Sequence, residues 1–161
     1  MNHVCYLGLG GNLGEPHALF DLAIAQLQAL PDASDVRESP RYESEPIDSS
    51  GPNYINSVIE LNWAGTPEAL LAACLNLEAL HGRVRTTRNA PRLIDLDVLL
   101  VGSLKINTEA LTVPHPRLHL RRFVLQPLLD LQPNLELPGL GPALPLLVDC
   151  ADQMIKPCAK A

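Results

Sequence analysis

No CxxC pair and no cysteine–histidine spacing suited to zinc occurs among Cys5, Cys74, Cys150 and Cys158, so nothing in the chain suggests a disulfide- or zinc-stapled scaffold. A signal peptide and an apolar run of membrane-spanning length are also missing, and a reducing cytoplasm is the expected compartment. There is no GxxxxGK[ST] phosphate loop, and Gly8 to Gly14 lacks the spacing and the acidic partner of a dinucleotide fingerprint. Basic excess is lacking as well. Twelve Lys and Arg stand against 18 Asp and Glu, a formal net charge of −6, which argues against nonspecific nucleic-acid or membrane-surface binding. Aromatic residues are scarce, with two Phe, three Tyr and one Trp, so each is a notable resource.

What remains is one domain's worth of chain, 161 residues, long enough to bury a core without staples. Residues 2 to 10 read as an apolar strand running into Gly8-Leu9-Gly10-Gly11-Asn12-Leu13-Gly14, a turn suited to positive φ and close backbone approach. A helix follows, with Pro16 in its first turn, Phe20, Ile24, Leu27 and Leu30 on one face, and Pro31 at its end. Residues 35 to 44 read as a polar edge strand, and 45 to 53 as a loop. Residues 54 to 63 alternate, with Ile55, Ile59, Leu61 and Trp63 on one face and Tyr54, Asn56 and Val58 on the other. Thr66 and Pro67 open a second helix whose apolar positions are Leu70, Leu71, Leu77 and Leu80, with Gly82 as terminator. Helices are expected near 120–131 and 144–154, and Cys158 falls in a polar tail. The order β-α-β-β-α-β predicts an α+β fold, a ferredoxin-like sandwich with a mainly antiparallel sheet and a C-terminal helical extension, over a single domain 1–161.

The segment Pro91-Arg92-Leu93-Ile94-Asp95-Leu96-Asp97-Val98-Leu99-Leu100 carries the strongest chemical signal. It sets two carboxylates into an apolar strand, on one face and ~6.5 Å apart. Buried like charges so close demand a compensating cation, either a divalent metal or arginine. Residues 83 to 122 supply the latter, with eight basic residues against three acids, a local net +5 in an acidic chain. An arginine cluster beside two aspartates suits a magnesium-bound polyphosphate, because guanidinium groups clamp phosphate oxygens bidentately. The competing reading of Asp95 and Asp97 is a structural ion-pair set with those arginines. Two functional alternatives stand beside the first: another magnesium-dependent phosphotransferase or nuclease, and a non-catalytic ferredoxin-like module that binds a small anion.

Five motifs stand in a particular order: Gly10-Gly11-Asn12-Leu13-Gly14, Tyr54-Ile55-Asn56, Glu78-Ala79-Leu80-His81-Gly82-Arg83-Val84-Arg85, Pro91 to Asp97, and Val113-Pro114-His115. In that order they resemble the 6-hydroxymethyl-7,8-dihydropterin pyrophosphokinase family over about residues 4 to 131. The resemblance implies an ATP-dependent diphosphotransferase of folate biosynthesis. Such an enzyme moves the β,γ-diphosphate of MgATP to the pterin hydroxymethyl group and releases AMP.

The resemblance also implies roles. Asp95 and Asp97 would hold two Mg2+ ions, and Arg83 and Arg92 would act with them at the phosphates. Arg85, Arg88, His115 and Arg121 would bind ATP. Asn56 would meet the pterin edge between Tyr54 and Phe123, with Ser44, Pro46 and Ile47 completing that edge. ATP and the pterin would be the partners of a cytoplasmic monomer, without nucleic acid or membrane. Arg117 and Arg122 are expected at the surface, and Glu78 is expected to be a solvated helix-end carboxylate or an orienting group. Two departures stand out: Asn89-Ala90 replaces the Trp-Gly found before Pro-Arg in many members, and Glu45 stands where proline is common.

Overall fold

Alternating apolar side chains place a nine-residue strand, β1 (His3–Gly11), in the interior of the sheet, with Cys5, Leu7 and Leu9 turned to one face and Tyr6, Gly8 and Gly10 to the other. The computed structural model describes residues 2–45, 52–81 and 94–158. After β1 come α1 (Pro16–Gln28), β2 (Ala33–Glu38), β3 (Tyr42–Ser44), β4 (Tyr54–Trp63), α2 (Pro67–Leu80) and β5 (Asp95–Val101). A two-stranded ribbon of β6 (Ile106–Asn107) and β7 (Thr112–Val113) then leads through a 3-10 turn at Leu118–Leu120 to α3 (Arg122–Leu131). The chain closes with β8 (Glu136–Leu137), β9 (Gly141–Pro142), α4 (Ala143–Asp149) and β10 (Ile155–Pro157).

Among the described residues the main sheet runs β10-β3-β4-β1-β5, with β2 also paired to β4, and every pairing is antiparallel. This is the α+β sandwich expected from the element order. Helices α1 and α2 cover one face, where Phe20, Ala23, Leu27, Leu70, Cys74 and Leu77 pack on Leu7, Leu9, Ile59, Leu61 and Leu96. Part of the opposite face is closed by α3, α4 and the 3-10 turn, through Leu118, Leu125, Leu128 and Ala143 against Tyr6, Val58 and Leu100. No described helix is long and apolar enough to cross a membrane.

The expected single strand over 35–44 is two strands. Pro40 has no amide proton for the ladder, and Ser39 bridges the break: its N–H donates to the Val58 carbonyl at 2.8 Å and its Oγ accepts from Val58 N–H at 2.9 Å. The glycine segment is largely strand. Gly8, Gly10 and Gly11 lie in β1, and only Gly14, at φ 65°, takes the left-handed conformation expected there. Thr66 caps α2 as expected, accepting from Ala69 N–H at 3.1 Å, but the buried stripe is Leu70, Cys74, Leu77 and Glu78, while Leu80 is exposed. The C-terminal tail is paired: β10 lies on β3, and Cys158 N–H donates to the Arg41 carbonyl at 2.9 Å.

Candidate active site

Register sets the site. Across the sheet, Asn56 of β4 stands beside Gly10 of β1, which stands beside Asp95 of β5; one row along, Val58, Gly8 and Asp97 align. With neighbouring strands about 4.8 Å apart, Asn56 and Asp95 have Cα atoms on the order of 10 Å apart, with a side-chain-free trough between them. A cavity of about 410 Å³ opens over that trough. It brings together Ser44, Tyr54, Asn56, Asp95, Asp97, His115, Arg121 and Phe123, together with Gly8, Gly10, Glu45, Leu99 and Val124.

The aspartates are less buried than the apolar run suggests. Asp95 is half-buried and Asp97 exposed, because their face of β5 looks into the cavity while Leu96 and Val98 enter the core. The ladder shifts register where Tyr6 faces Leu100 and Leu7 faces Val98, so Leu99 is the extra residue of a bulge. Leu99 and Leu100 both join the second core, and Val101 returns to the first. A run that looks uniformly apolar therefore serves two cores and a cavity.

Asn56 is buried, and its Nδ2 donates to Ser44 Oγ at 3.0 Å. Its Oδ1 lies over Gly10, where an added Cβ would come within 3.2 Å of it. Asn12 Nδ2 donates to the Pro52 carbonyl at 3.2 Å, tying the end of β1 to the segment entering β4. Tyr54 stands partly exposed at the mouth. Phe123 packs partly against the second core, with the Arg121 guanidinium 5.6 Å from its ring centroid.

His115 is fixed at both ends. Its N–H donates to the Leu99 carbonyl at 3.0 Å, and its Nδ1 accepts from Arg117 N–H at 3.2 Å, which leaves the ring proton on Nε2. Burial lowers its pKa from the ordinary value; Asp97 pulls the other way, while Arg121 and Arg117 reinforce the lowering. Burial and the accepted Arg117 N–H both favour the neutral imidazole with its proton on Nε2.

Of the two alternatives for Glu78, burial excludes the solvated one. It is 3% exposed rather than solvated, and it accepts the Leu96 N–H at 2.9 Å. Its position on the stripe 70, 74, 77, 78 carried that signal, since i, i+4, i+7 and i+8 share one helix face. Arg122 is also more than a surface residue: its Nη1 donates to the Ala151 and Gln153 carbonyls at 3.2 and 2.7 Å, tying α3 to the C-terminal segment. Gly8 and Gly10 are site residues that motif reading placed only loosely; their pairing opposite the aspartates is a tertiary fact. Arg83, Arg85, Arg88, Arg92, Pro46, Ile47, Gly82 and the Asn89-Ala90 departure lie outside the described residues.

Among the described residues no three His, Cys, Asp or Glu side chains converge on one point. Two carboxylates opening into a cavity are nevertheless a donor set that suits magnesium, which takes one or two protein carboxylates and completes its shell with water and phosphate oxygens. Hard oxygen donors on one face fit such an ion, and among the described residues no cysteine lines the cavity.

Comparison with known proteins is consistent with this chemistry. A family model described as 7,8-dihydro-6-hydroxymethylpterin-pyrophosphokinase (HPPK) matches residues 6–133. The 2-amino-4-hydroxy-6-hydroxymethyldihydropteridine pyrophosphokinase of Pseudomonas aeruginosa is 41% identical over 147 residues, 90% of each chain. The protein of the same name from Methylorubrum extorquens is 38% identical over 135 residues, 83% of this chain and 85% of its own. A solved structure of an HPPK-DHPS in complex with substrates superposes with a TM-score of 0.71 at 12% identity, a likeness of fold. It covers 92% of this chain, which spans 43% of that longer one.

Proposed function

The chain belongs to the 7,8-dihydro-6-hydroxymethylpterin-pyrophosphokinase family, and from that premise we propose how its residues divide the work. It is an ATP-dependent diphosphotransferase of folate synthesis, acting on 6-hydroxymethyl-7,8-dihydropterin with a divalent metal. The hydroxymethyl oxygen bonds to the β-phosphorus, the bond from that phosphorus to the α,β-bridging oxygen breaks, AMP departs with the electron pair, and the hydroxyl proton is released.

In our reading Asp95 and Asp97 hold two Mg2+ ions. Bound there, magnesium would supply positive charge against the phosphate oxygens. Arg121 and the neutral His115, through Nε2–H, bind phosphate oxygens from the cavity wall, and Arg83, Arg85, Arg88 and Arg92 complete the phosphate grip, with Arg83 and Arg92 at the reacting groups. On the other side of the trough Asn56, oriented by Ser44, reads the pterin edge, Tyr54 and Phe123 wall its faces, and Pro46 and Ile47 add backbone contacts. The observation that supports this division is the row Asn56–Gly10–Asp95, in which an amide and a carboxylate stand on opposite sides of bare backbone.

Residues 1–161 then form one pyrophosphokinase domain that works as a cytoplasmic monomer, binding ATP and pterin rather than nucleic acid or membrane. The free thiols of Cys5, Cys74, Cys150 and Cys158 and the acidic charge balance support that setting. Equilibrium binding to Asn56→Ala and Phe123→Ala tests the division. Each should weaken pterin binding by about tenfold or more and nucleotide binding by less than about threefold. Equal losses for both ligands would reassign the residues to packing.

A further inference from the structure

We propose that Glu78 is a positioning residue for the aspartate pair, holding the Leu96 peptide so that Asp95 and Asp97 keep their spacing and aim. This inference rests on the reading of those aspartates as metal holders. Strand β5 ends the sheet, with β1 on one side only among the described residues. Leu96 N–H is satisfied by the Glu78 carboxylate at 2.9 Å, so it points away from β1. Since successive residues of an antiparallel strand alternate in direction, the amides of Asp95 and Asp97 point towards β1, opposite Gly10 and Gly8. The peptide between the two aspartates is thus pinned from the outer side by α2.

A backbone N–H at a sheet edge is ordinarily satisfied by water; here a carboxylate that is 3% exposed takes that place. Its support is rigid. Leu70, Cys74 and Leu77 pack α2 into the same core as Leu96, so the carboxylate cannot follow β5 if the strand slips. Residues behind metal ligands that fix their orientation commonly change metal affinity by roughly 10- to 100-fold when altered. The Leu96 bond has the geometry for that role, one residue from each aspartate.

Two conservative variants separate position from charge. Glu78→Asp keeps the carboxylate but withdraws it by about 1.5 Å, one carbon–carbon bond. Glu78→Gln keeps an oxygen acceptor at full reach and removes the charge. Binding of Mn2+ in the presence of a non-hydrolysable ATP analogue, read by the EPR signal of free Mn2+, is measured alongside amide hydrogen exchange at Leu96. Glu78→Asp should raise the Mn2+ dissociation constant by about tenfold or more and speed Leu96 exchange, whereas Glu78→Gln should stay within about threefold of the unaltered protein on both. Faster Leu96 exchange with unchanged Mn2+ affinity in Glu78→Asp would overturn the proposal, as would a Glu78→Gln loss as large as that of Glu78→Asp. Asp97→Asn is the control. If it leaves Mn2+ affinity unchanged, the underlying metal reading fails, and that outcome is distinct from the other two.

Discussion

On one face of the sheet Cys5, Leu7 and Leu9 of β1 pack with Ile59 and Leu61 of β4 and with Leu96 and Val98 of β5 beneath two helices; on the other face the intervening residues of the same strands are Gly8, Gly10, Asn56, Asp95 and Asp97 around a cavity. Alternation along three strands separates stability from chemistry with no change of scaffold. Cys5, Leu7 and Leu9 of β1 bury apolar area on one face; on the other, Tyr6 packs in the second core while Gly8 and Gly10 leave bare backbone at the cavity. The thiols share this division. Burial holds Cys5 and Cys74 at about 12, so both are inert packing groups of the closed face.

If the division is right, substitutions on the two faces should fail in different ways. The largest expected effect is at Asp97. It is exposed, so alanine should leave the unfolding free energy within about 0.5 kcal/mol while kcat/KM falls by about a thousandfold or more. Chemical denaturation and steady-state kinetics on one preparation decide it, and a comparable loss of stability would erase the distinction between the faces. Phe20→Ala is the converse, removing a fully buried ring from the closed face. It should cost ~3–5 kcal/mol of stability, with the KM values of the folded fraction unchanged.

A sharper contrast lies within β1. An added Cβ at Gly10 meets Asn56 Oδ1 at 3.2 Å, while one at Gly8 meets Leu99 at an ordinary 3.5 Å. Gly10→Ala should therefore raise the pterin KM about tenfold by displacing an amide that Ser44 holds, and Gly8→Ala should change it by less than about twofold. Equal effects would mean that Asn56 is not what the trough protects.

The smallest effect concerns His115. Burial lowers its pKa from 6.5, so the folded state takes up its proton later than the unfolded chain does. Its contribution to stability is complete above 6.5 and is lost as pH falls from there towards the lowered folded value. An NMR titration of its ring should show a midpoint below 6.5, and His115→Gln should flatten the acid side of the stability profile. A midpoint at or above 6.5 would contradict the lowering by burial, and one above neutral pH would make the residue a cation instead of a neutral donor.

The sandwich and the aspartate pair were legible in short-range patterns, namely strand alternation in 54–63, the Thr66-Pro67 cap and two carboxylates in an apolar run, whereas Ser44, His115, Arg121 and Phe123 of the cavity lining were expected only from the resemblance carried by the ordered motifs. Three features escaped because their causes lie far apart in sequence. Pro40 splits a strand whose continuity is kept by Ser39 against Val58, a partner 19 residues on. The tail pairs because β3 would otherwise be an edge, and Ile155 reaches Ser44 across most of the chain. Glu78 stayed open between a solvated helix-end charge and an orienting group until its partner at Leu96 was in place, although its phase on the buried stripe pointed inward. The aspartates were misread in the opposite sense: an apolar run suggested burial, but the bulge at Leu99 lets β5 serve two cores while Asp95 and Asp97 stay open.

The most direct test is phosphorus NMR of the products formed from MgATP and 6-hydroxymethyl-7,8-dihydropterin by the unaltered protein and by Asp97→Ala, each with a pterin-free control. The account predicts AMP and pterin diphosphate from the unaltered protein, only in the presence of pterin, and neither from the variant. Formation of ADP, phosphate release without pterin, or undiminished turnover by Asp97→Ala would contradict it.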